Sequence, residues 1–206
     1  MKFITHPYKH ADIVLASDKH KKDYDEIVEI ISSITDEELK SHHLSKKNNG
    51  LKSSLAPTIN AVLKNKFVEK GWNAESSIFQ GEEYGLDKVW RLDFARDSIS
   101  VEVAFNHGEA IAWNLLKPVL ASEVNNVQKA IQTEVGVLIT TTKNLKKAGC
   151  FDNAVGEYEK VLRYLIPLST LMSVPLMIIG LEAPETFKLK SKYPGSPDDW
   201  GKIEDI

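Results

Sequence analysis

The sequence is poor in cysteine and has no long hydrophobic run, and each shortage excludes a class of protein. Cys150 is the only cysteine among 206 residues, which excludes a disulfide scaffold and favours a reducing, cytoplasmic location. Apolar stretches such as 174–181 are far shorter than the ~20 residues of a membrane helix, so no membrane partner is expected. The opening segment MKFITHPYKHAD does not resemble a secretory signal.

The charge balance also lacks a strong excess of either sign. Lys and Arg number 26 against 29 Asp and Glu, for a net charge of −3. This mild acidity does not indicate a nucleic-acid binder, although local basic patches matter more than the sum. The 42% hydrophobic content excludes intrinsic disorder. Length and the lack of internal repeats predict a single domain over residues 1–206.

The first half of the chain has helical spacing. Isoleucines recur at helical intervals after Asp23, which predicts an amphipathic helix with one apolar face. A second helix is expected to begin near Pro57 and to end at Gly71. Between the two helices, residues 40–53 contain four lysines and no acid, and a basic loop is expected there.

The second half contains patterns typical of strands. The strands are expected over 91–96, 98–105, 136–142 and 174–181. Helices are expected over 110–133 and 154–172, with Pro118 kinking the first or marking its true start. The tail from Pro184 is expected to be irregular. The sum is an α/β fold in which a mixed central sheet, with its core at 90–181, is flanked by helices.

Two acids stand out in the first pair of strands. In a hairpin turning at 97–98, Asp93 would lie directly opposite Glu102 on one face of the sheet. Like charges so placed repel each other, and a divalent cation such as Mg²⁺ would neutralise them. The alternative is a solvent-exposed hairpin whose acids are screened by Arg91 or Arg96.

The same residues carry a resemblance to a known family. Asp93 and the triplet Glu102-Val103-Ala104 resemble the D…(D/E)-x-K signature of the restriction-endonuclease-like nucleases. Further segments are similar, in matching order, to the BglII and BstYI branch of the type II restriction endonucleases. These segments are YKHADIVL, DEIVEIISSI, LAPTINAVLKNKFVEKGW and VPLMIIGLEAP. The resemblance implies the restriction-endonuclease-like fold and Mg²⁺-dependent cleavage of double-stranded DNA at a short palindrome by a homodimer.

The resemblance also implies roles for individual residues. Asp93 and Glu102 would be the metal ligands, and Glu75 falls where the family places a further polar or acidic residue of the active site. Asn106 and His107 match positions from which the family reaches base edges in the major groove, where Asn suits adenine and His can donate to guanine. Glu75 and His107 could equally be ordinary surface residues.

Basic residues outside this site are candidates for contacts with DNA phosphates. In both groups the alternative is a solvated cluster of lysines. The candidates are Lys46 and Lys47 in the basic segment, and Lys143, Asn144 and Lys146 in KNLKK after the third strand.

One position departs from the family pattern. Ala104 occupies the third catalytic position, where the family has Lys, Glu or Gln. The chain is then an engineered inactive variant, a naturally inactive homologue, or an enzyme in which Glu75 or Lys88 supplies the missing function. The first explanation is favoured, since the rest of the site is intact. Two other functions stay open: DNA binding without cleavage, and a globular protein with no nucleic-acid role.

Overall fold

A computed structural model describes residues 1–48, 54–85, 88–123, 127–191 and 199–206. Its centre is a six-stranded mixed sheet, in the order β1-β6-β5-β4-β3-β2. The middle strands β4, β5 and β6 are parallel, and the pairs at both edges are antiparallel. The strands are β1 (Phe3–Tyr8), β2 (Asn73–Ser77), β3 (Arg91–Arg96), β4 (Ile99–Ala104), β5 (Val135–Thr141) and β6 (Leu176–Leu181).

Helices cover both faces of this sheet. Short 3₁₀ turns at Lys88–Trp90 and Gly108–Ala110 precede β3 and the sixth helix. No helix in the described ranges has the length and apolar character needed to cross a bilayer. The helices are α1 (Ala11–Leu15), α2 (Lys21–Ser32), α3 (Asp36–Asn48), α4 (Ala56–Glu69), α5 (Glu82–Gly85), α6 (Ile111–Ser122), α7 (Lys143–Ala148) and α8 (Tyr158–Leu165).

The two faces are packed by different helices. On one face, the isoleucine side of α2 and the apolar side of α4, including Phe67, join Val101 of β4 in one large core. On the other face, α6 and α8 pack on β4, β5 and β6, with Leu115 and Val161 in a second core. The α/β prediction is therefore confirmed, as are the helices after Asp23 and Pro57 and the four strands.

The predicted basic loop at 40–53 is wrong over its first part, because α3 extends to Asn48. The helix begins after Thr35, whose hydroxyl accepts a hydrogen bond from the N–H of Glu38 at 3.1 Å. Leu39 and His43, four residues apart, bury one face of the helix. The lysines follow near its C-terminus, where positive charge is favourable. Residues 49–53 lie outside the described part.

Other boundaries also differ from the sequence prediction. Helix α6 ends at Ser122 with Pro118 inside it, so the proline does not mark its start. Helix α8 ends at Leu165, just before Pro167, because proline has no N–H with which to continue the helical hydrogen bonds. The sheet also includes β1 and β2, which extend it beyond the predicted core at both edges.

The tail from Pro184 is partly regular. It forms a small antiparallel sheet of β7 (Phe187–Leu189) and β8 (Ile203–Asp205). Phe187 and Leu189 are buried, whereas Lys188 between them is exposed. This alternation is the pattern of a half-buried strand, but three residues are too few to signal it in a sequence.

Candidate active site

The hairpin of β3 and β4 positions the two acids. Its register, with Phe94 opposite Val101 and Arg96 opposite Ile99, is the predicted one. Asp97 in the turn has a φ of 47°, a conformation that short polar residues tolerate better than most. The pairing of β3 with β4 ends at Phe94 and Val101, so Asp93 and Glu102 lie just beyond it at the open end of the hairpin, and the predicted direct pairing of the two acids is not formed.

At that end each acid accepts a hydrogen bond from a backbone N–H of the other acid's strand. The N–H of Asp93 donates to Oε1 of Glu102 at 3.2 Å, and the N–H of Val103 donates to Oδ2 of Asp93 at 2.7 Å. The carboxylates thus accept backbone hydrogen bonds in the gap between the strands. Reciprocal bonds of this kind fix both side chains relative to the sheet.

The hairpin is not solvent-exposed at this point. Glu102 is 2% exposed, so the alternative of two screened surface acids fails. Arg96 does not screen them: its guanidinium binds Asp23 and Glu26, each at 2.7 Å, and lies over the ring of Trp72. Arg96 therefore does not relieve the repulsion between the two acids.

The cation beside Glu102 is Lys117 of α6. Its Nζ lies 2.7 Å from Oε2 of Glu102, and its side chain is 13% exposed. The carboxylate of Glu102 therefore faces α6, whereas that of Asp93 faces α4. The two acids are nevertheless close enough for their charges to interact. Lys117 was not among the residues that the sequence indicated.

Asp93 opens into a small cavity of about 180 Å³ between the hairpin and α4. Glu75 of β2 lines this cavity, and so do Asn60 and Lys64 of α4. Lys64 Nζ lies 3.3 Å from Oε1 of Glu75. The predicted grouping of Glu75 with Asp93 is therefore present in the structure.

The backbone at Glu75 is strained. Its φ is 53°, a left-handed conformation that is uncommon for a residue other than glycine. Its neighbours Ala74 and Ser76 pair with Phe94 and Leu92, so Glu75 lies across from Asp93. Strain of this kind concentrates at functional sites, where the surrounding structure enforces it.

The environment of the two acids makes their ionisation costly. Burial raises the pKa of Glu102 to about 8, with the charge of Asp93 adding to the rise and Lys117 opposing it. Burial also raises the pKa of Asp93, against the opposing effects of the Val103 N–H and Lys117. Near neutral pH the pair therefore retains a proton, and an additional positive charge would displace it.

Ala104 lies on the same strand as Glu102, and its side chain is buried. It packs with Ile111 and Leu115 of the α6 segment and with Leu138 of β5. Its carbonyl accepts a hydrogen bond from the hydroxyl of Thr140 at 3.0 Å. The position therefore contributes apolar packing and no side-chain polar group.

The two base-reading candidates follow β4 directly. Asn106 and His107 are exposed. Oδ1 of Asn106 accepts a hydrogen bond from the side chain of buried Asn114 at 2.8 Å, which orients the amide. His107 pairs with Val155 through the backbone, leaving its ring outside that pairing.

The lysine candidates around α7 differ in availability. The ammonium group of Lys146 is already bound within the protein. Its Nζ binds the carbonyls of Asn153 and Val155 and a carboxylate oxygen of Glu157. Lys143 and Asn144 are exposed at the start of the helix. A groove of about 880 Å³ is lined by five lysines, together with Asn144 and two acids. The lysines are Lys143, Lys146, Lys147, Lys188 and Lys190.

The remaining candidates lie outside the described side chains. Lys46 and Lys47 fall on the last turn of α3, and only their backbone is described. The side chain of Lys88, one candidate to replace the missing third residue, is not described either.

Comparison with known proteins identifies the family. A sequence profile described as restriction endonuclease BglII/BglIII matches residues 3–181. The chain belongs to the BglII/BglIII restriction endonuclease family. A search of curated proteins found no match.

The fold agrees with solved structures of BglII. The chain is 20% identical to restriction endonuclease BglII complexed with a DNA 16-mer, with a TM-score of 0.65 over 100% of this chain and 90% of that one. Free BglII gives 19% identity and a TM-score of 0.58, over 100% of this chain and 93% of that one. The predicted restriction-endonuclease-like fold is therefore confirmed.

Restriction endonucleases of this type generally depend on a divalent metal. Within the described ranges, no group of three or more His, Cys, Asp or Glu side chains is arranged to hold an ion. The carboxylates that could hold the ion are those of Asp93, which lines the open cavity, and of Glu102, which is buried beside Lys117. This suits Mg²⁺, which usually takes one or two carboxylates and completes its shell with water and substrate phosphate.

Proposed function

We propose that this BglII-family chain is a type II restriction endonuclease, which hydrolyses double-stranded DNA at a short palindrome with Mg²⁺. The observation that carries the proposal is the pair Asp93 and Glu102. Glu102 is buried and Asp93 is half-buried, each accepts a backbone hydrogen bond from the other's strand, and Asp93 lines a cavity beside a strained acidic residue. Two carboxylates whose ionised forms are destabilised in this way have no evident stabilising role in the fold. Binding a cation would give them a function.

The residues of the site would have different roles. Asp93 and Glu102 would hold Mg²⁺, which when bound acidifies water and stabilises charge on the phosphate. Asn60 and Glu75 line the cavity beside Asp93, where they can orient a water molecule by hydrogen bonds. The backbone N–H groups that hold the two acids keep them from turning away when DNA binds.

Asn106, His107 and the exposed lysines would provide the contacts with DNA. The first two follow the catalytic strand and would read bases, while Lys143 and Asn144 would touch the backbone, as would Lys46 and Lys47. The related BglII structure contains a DNA 16-mer, which supports a duplex as the partner. We also propose a homodimer, since a palindromic site is matched by a two-fold protein.

Salt dependence of DNA binding tests the lysines. Replacing exposed Lys143 and Lys147 together by Ala should make the slope of log affinity against log salt less steep by about 0.9 for each lost contact. The measurement is filter binding of a duplex in Ca²⁺ over a range of NaCl concentrations. Lys21→Ala, on the exposed side of α2, is the control. Equal slopes in both variants would show that the groove at α7 does not contact DNA.

A second candidate function is DNA binding without cleavage, and Ala104 favours it. The two functions separate when supercoiled plasmid and phage DNA are incubated with the chain in Mg²⁺ or Mn²⁺. Discrete fragments would establish the nuclease. Binding without cutting, with cleavage restored by Ala104→Glu, Ala104→Lys or Ala104→Gln, would identify an inactivated enzyme. If none of the three cuts, the chain is a binding protein.

A further inference from the structure

Lys117 is placed where a catalytic cation is useful, and nothing in the sequence pattern of the family assigns it a role. Its ammonium group contacts Glu102, and its charge also acts on Asp93. At 13% exposure the side chain is largely withdrawn from solvent. Burying a lysine in this position is unfavourable unless its partners compensate for the lost hydration of the ammonium group.

The fold fixes the position of this lysine through its neighbour. Pro118 packs against Gly136 of β5, where an added Cβ would lie 2.8 Å from the Cβ of Pro118. The absence of a side chain at Gly136 thus lets α6 approach the sheet closely. Since β5 pairs with β4, with Gly136 beside Ser100, the approach holds Lys117 next to Glu102.

The same face of β4 carries the apolar third position. Ala104 is two residues from Glu102, and alternation directs both side chains toward α6. Ala104 packs with Ile111 and Leu115 of α6, whereas Glu102 contacts Lys117, two residues after Leu115 on the same helix. A small residue on the strand and a lysine on the helix therefore share one side of the site.

We propose that Lys117 is the third catalytic residue, supplied from α6 in place of the side chain that Ala104 lacks. This inference rests on the proposed nuclease function. With Glu102 engaged by Mg²⁺, the ammonium group would donate a hydrogen bond to the scissile phosphate. There it offsets the negative charge that develops during hydrolysis.

The reaction it would assist is a balanced hydrolysis. The oxygen of a water molecule bonds to phosphorus, and the bond from phosphorus to the leaving deoxyribose oxygen breaks. The attacking water gives up a proton to solvent, and the leaving oxygen takes one up. Lys117 takes no part in these proton transfers, so its contribution is electrostatic.

The test compares Lys117→Met and Lys117→Gln with the unaltered chain, on a DNA fragment that the unaltered chain cuts. Each variant should lower the single-turnover cleavage rate in Mg²⁺ by about 10²–10³-fold, as loss of one preorganised donor typically does. Affinity for the same fragment in Ca²⁺ should change by less than about threefold, because the phosphate contacts elsewhere remain. Lys117→Gln keeps a donor toward Glu102 and guards against misfolding of the Met variant.

Two further variants separate catalysis from structure. Lys66→Met removes a lysine of similar exposure, ion-paired to Glu38 on a neighbouring helix, and should cut at the unaltered rate. Ala104→Lys added to Lys117→Met returns an ammonium group from the strand side. This double variant should cut at least about tenfold faster than Lys117→Met alone, because the positive charge acts from any position that reaches the phosphate.

The outcomes distinguish this inference from the function beneath it. Cleavage by Lys117→Gln at the unaltered rate would overturn the role of Lys117 and leave the nuclease standing. Slow cleavage with an equal loss of DNA affinity, and no recovery by Ala104→Lys, would also overturn it, in favour of a structural lysine. An unaltered chain that binds DNA but cuts nothing in Mg²⁺ or Mn²⁺ would overturn the role of Lys117. The nuclease proposal would fall as well if Ala104→Glu, Ala104→Lys and Ala104→Gln all failed to cut.

Discussion

Asp93→Asn and Glu102→Gln are each expected to lower the rate of DNA cleavage by at least ~10³-fold, because a metal contributes several kcal/mol of charge stabilisation. The amide variants are chosen to keep the local structure. Asn retains an oxygen that can accept from the Val103 N–H, and Gln retains one for the Asp93 N–H. Each loses the negative charge that would hold Mg²⁺. The loss should appear in single-turnover cleavage of plasmid DNA.

The matched control is Asp23→Asn. Asp23 is another aspartate with a largely buried side chain, ion-paired to Arg96 at 2.7 Å, but it lies on α2 outside the cavity. We expect it to lower thermal stability and leave the cleavage rate of the folded protein intact. If Asp93→Asn and Asp23→Asn reduce cleavage equally, the acid pair is a structural feature and the proposed metal site is wrong.

The parts of the fold that could be predicted from the sequence have strong periodicity. The isoleucines of α2 and the alternation in β3 and β4 each direct side chains to one face, and burial of that face decides the structure. Edge strand β1 was missed because its segment FITHPY mixes polar residues and a proline with few apolar ones. Its place in the sheet depends on pairing with β6, which lies far away in the sequence.

The residues of the candidate site also differ in whether a local sequence pattern could predict them. Asp93 and Glu102 could be identified because a hairpin of known register sets two local residues side by side. Lys117 could not, because its partner lies across a helix–sheet contact that no local pattern encodes. One signal was present: Lys117 is the only charged residue in IAWNLLKPVLA, positions 111–121. A lone lysine in an apolar helix needs an acidic partner, and Glu102 is the nearly buried acid that meets it.

The basic segments show the limit of reading charge alone. Lys143 and Lys146 look equivalent in KNLKK, yet one is exposed and the other is hydrogen-bonded to Glu157 and two carbonyls. The difference arises from the loop at 152–157, which folds back on α7. Helical spacing predicts which residues share a face, but it does not predict what covers that face.

The Mg²⁺ concentration that gives half-maximal cleavage is expected to fall steeply as pH rises. Burial, together with the charge of Asp93, raises the pKa of Glu102 to about 8, so Glu102 holds a proton below that pH. Glu102 would hold Mg²⁺ as the ionised carboxylate and would have to lose this proton first. The required concentration should then fall about tenfold for each unit between pH 6 and pH 7.5 and level off above pH 8.

The measurement is a set of Mg²⁺ titrations of plasmid cleavage at fixed ionic strength. Half-saturation is read rather than the plateau rate, because the plateau also rises as hydroxide becomes available. Glu75→Gln serves as a comparison: Glu75 contributes to the raised pKa of Asp93 and not to that of Glu102, so its removal should leave the fall of the curve toward pH 8 in place. The same half-saturating concentration at pH 6 and pH 8 would mean that Glu102 is already ionised in the free protein. The ion pair with Lys117 would then outweigh burial, and metal binding would be independent of this proton.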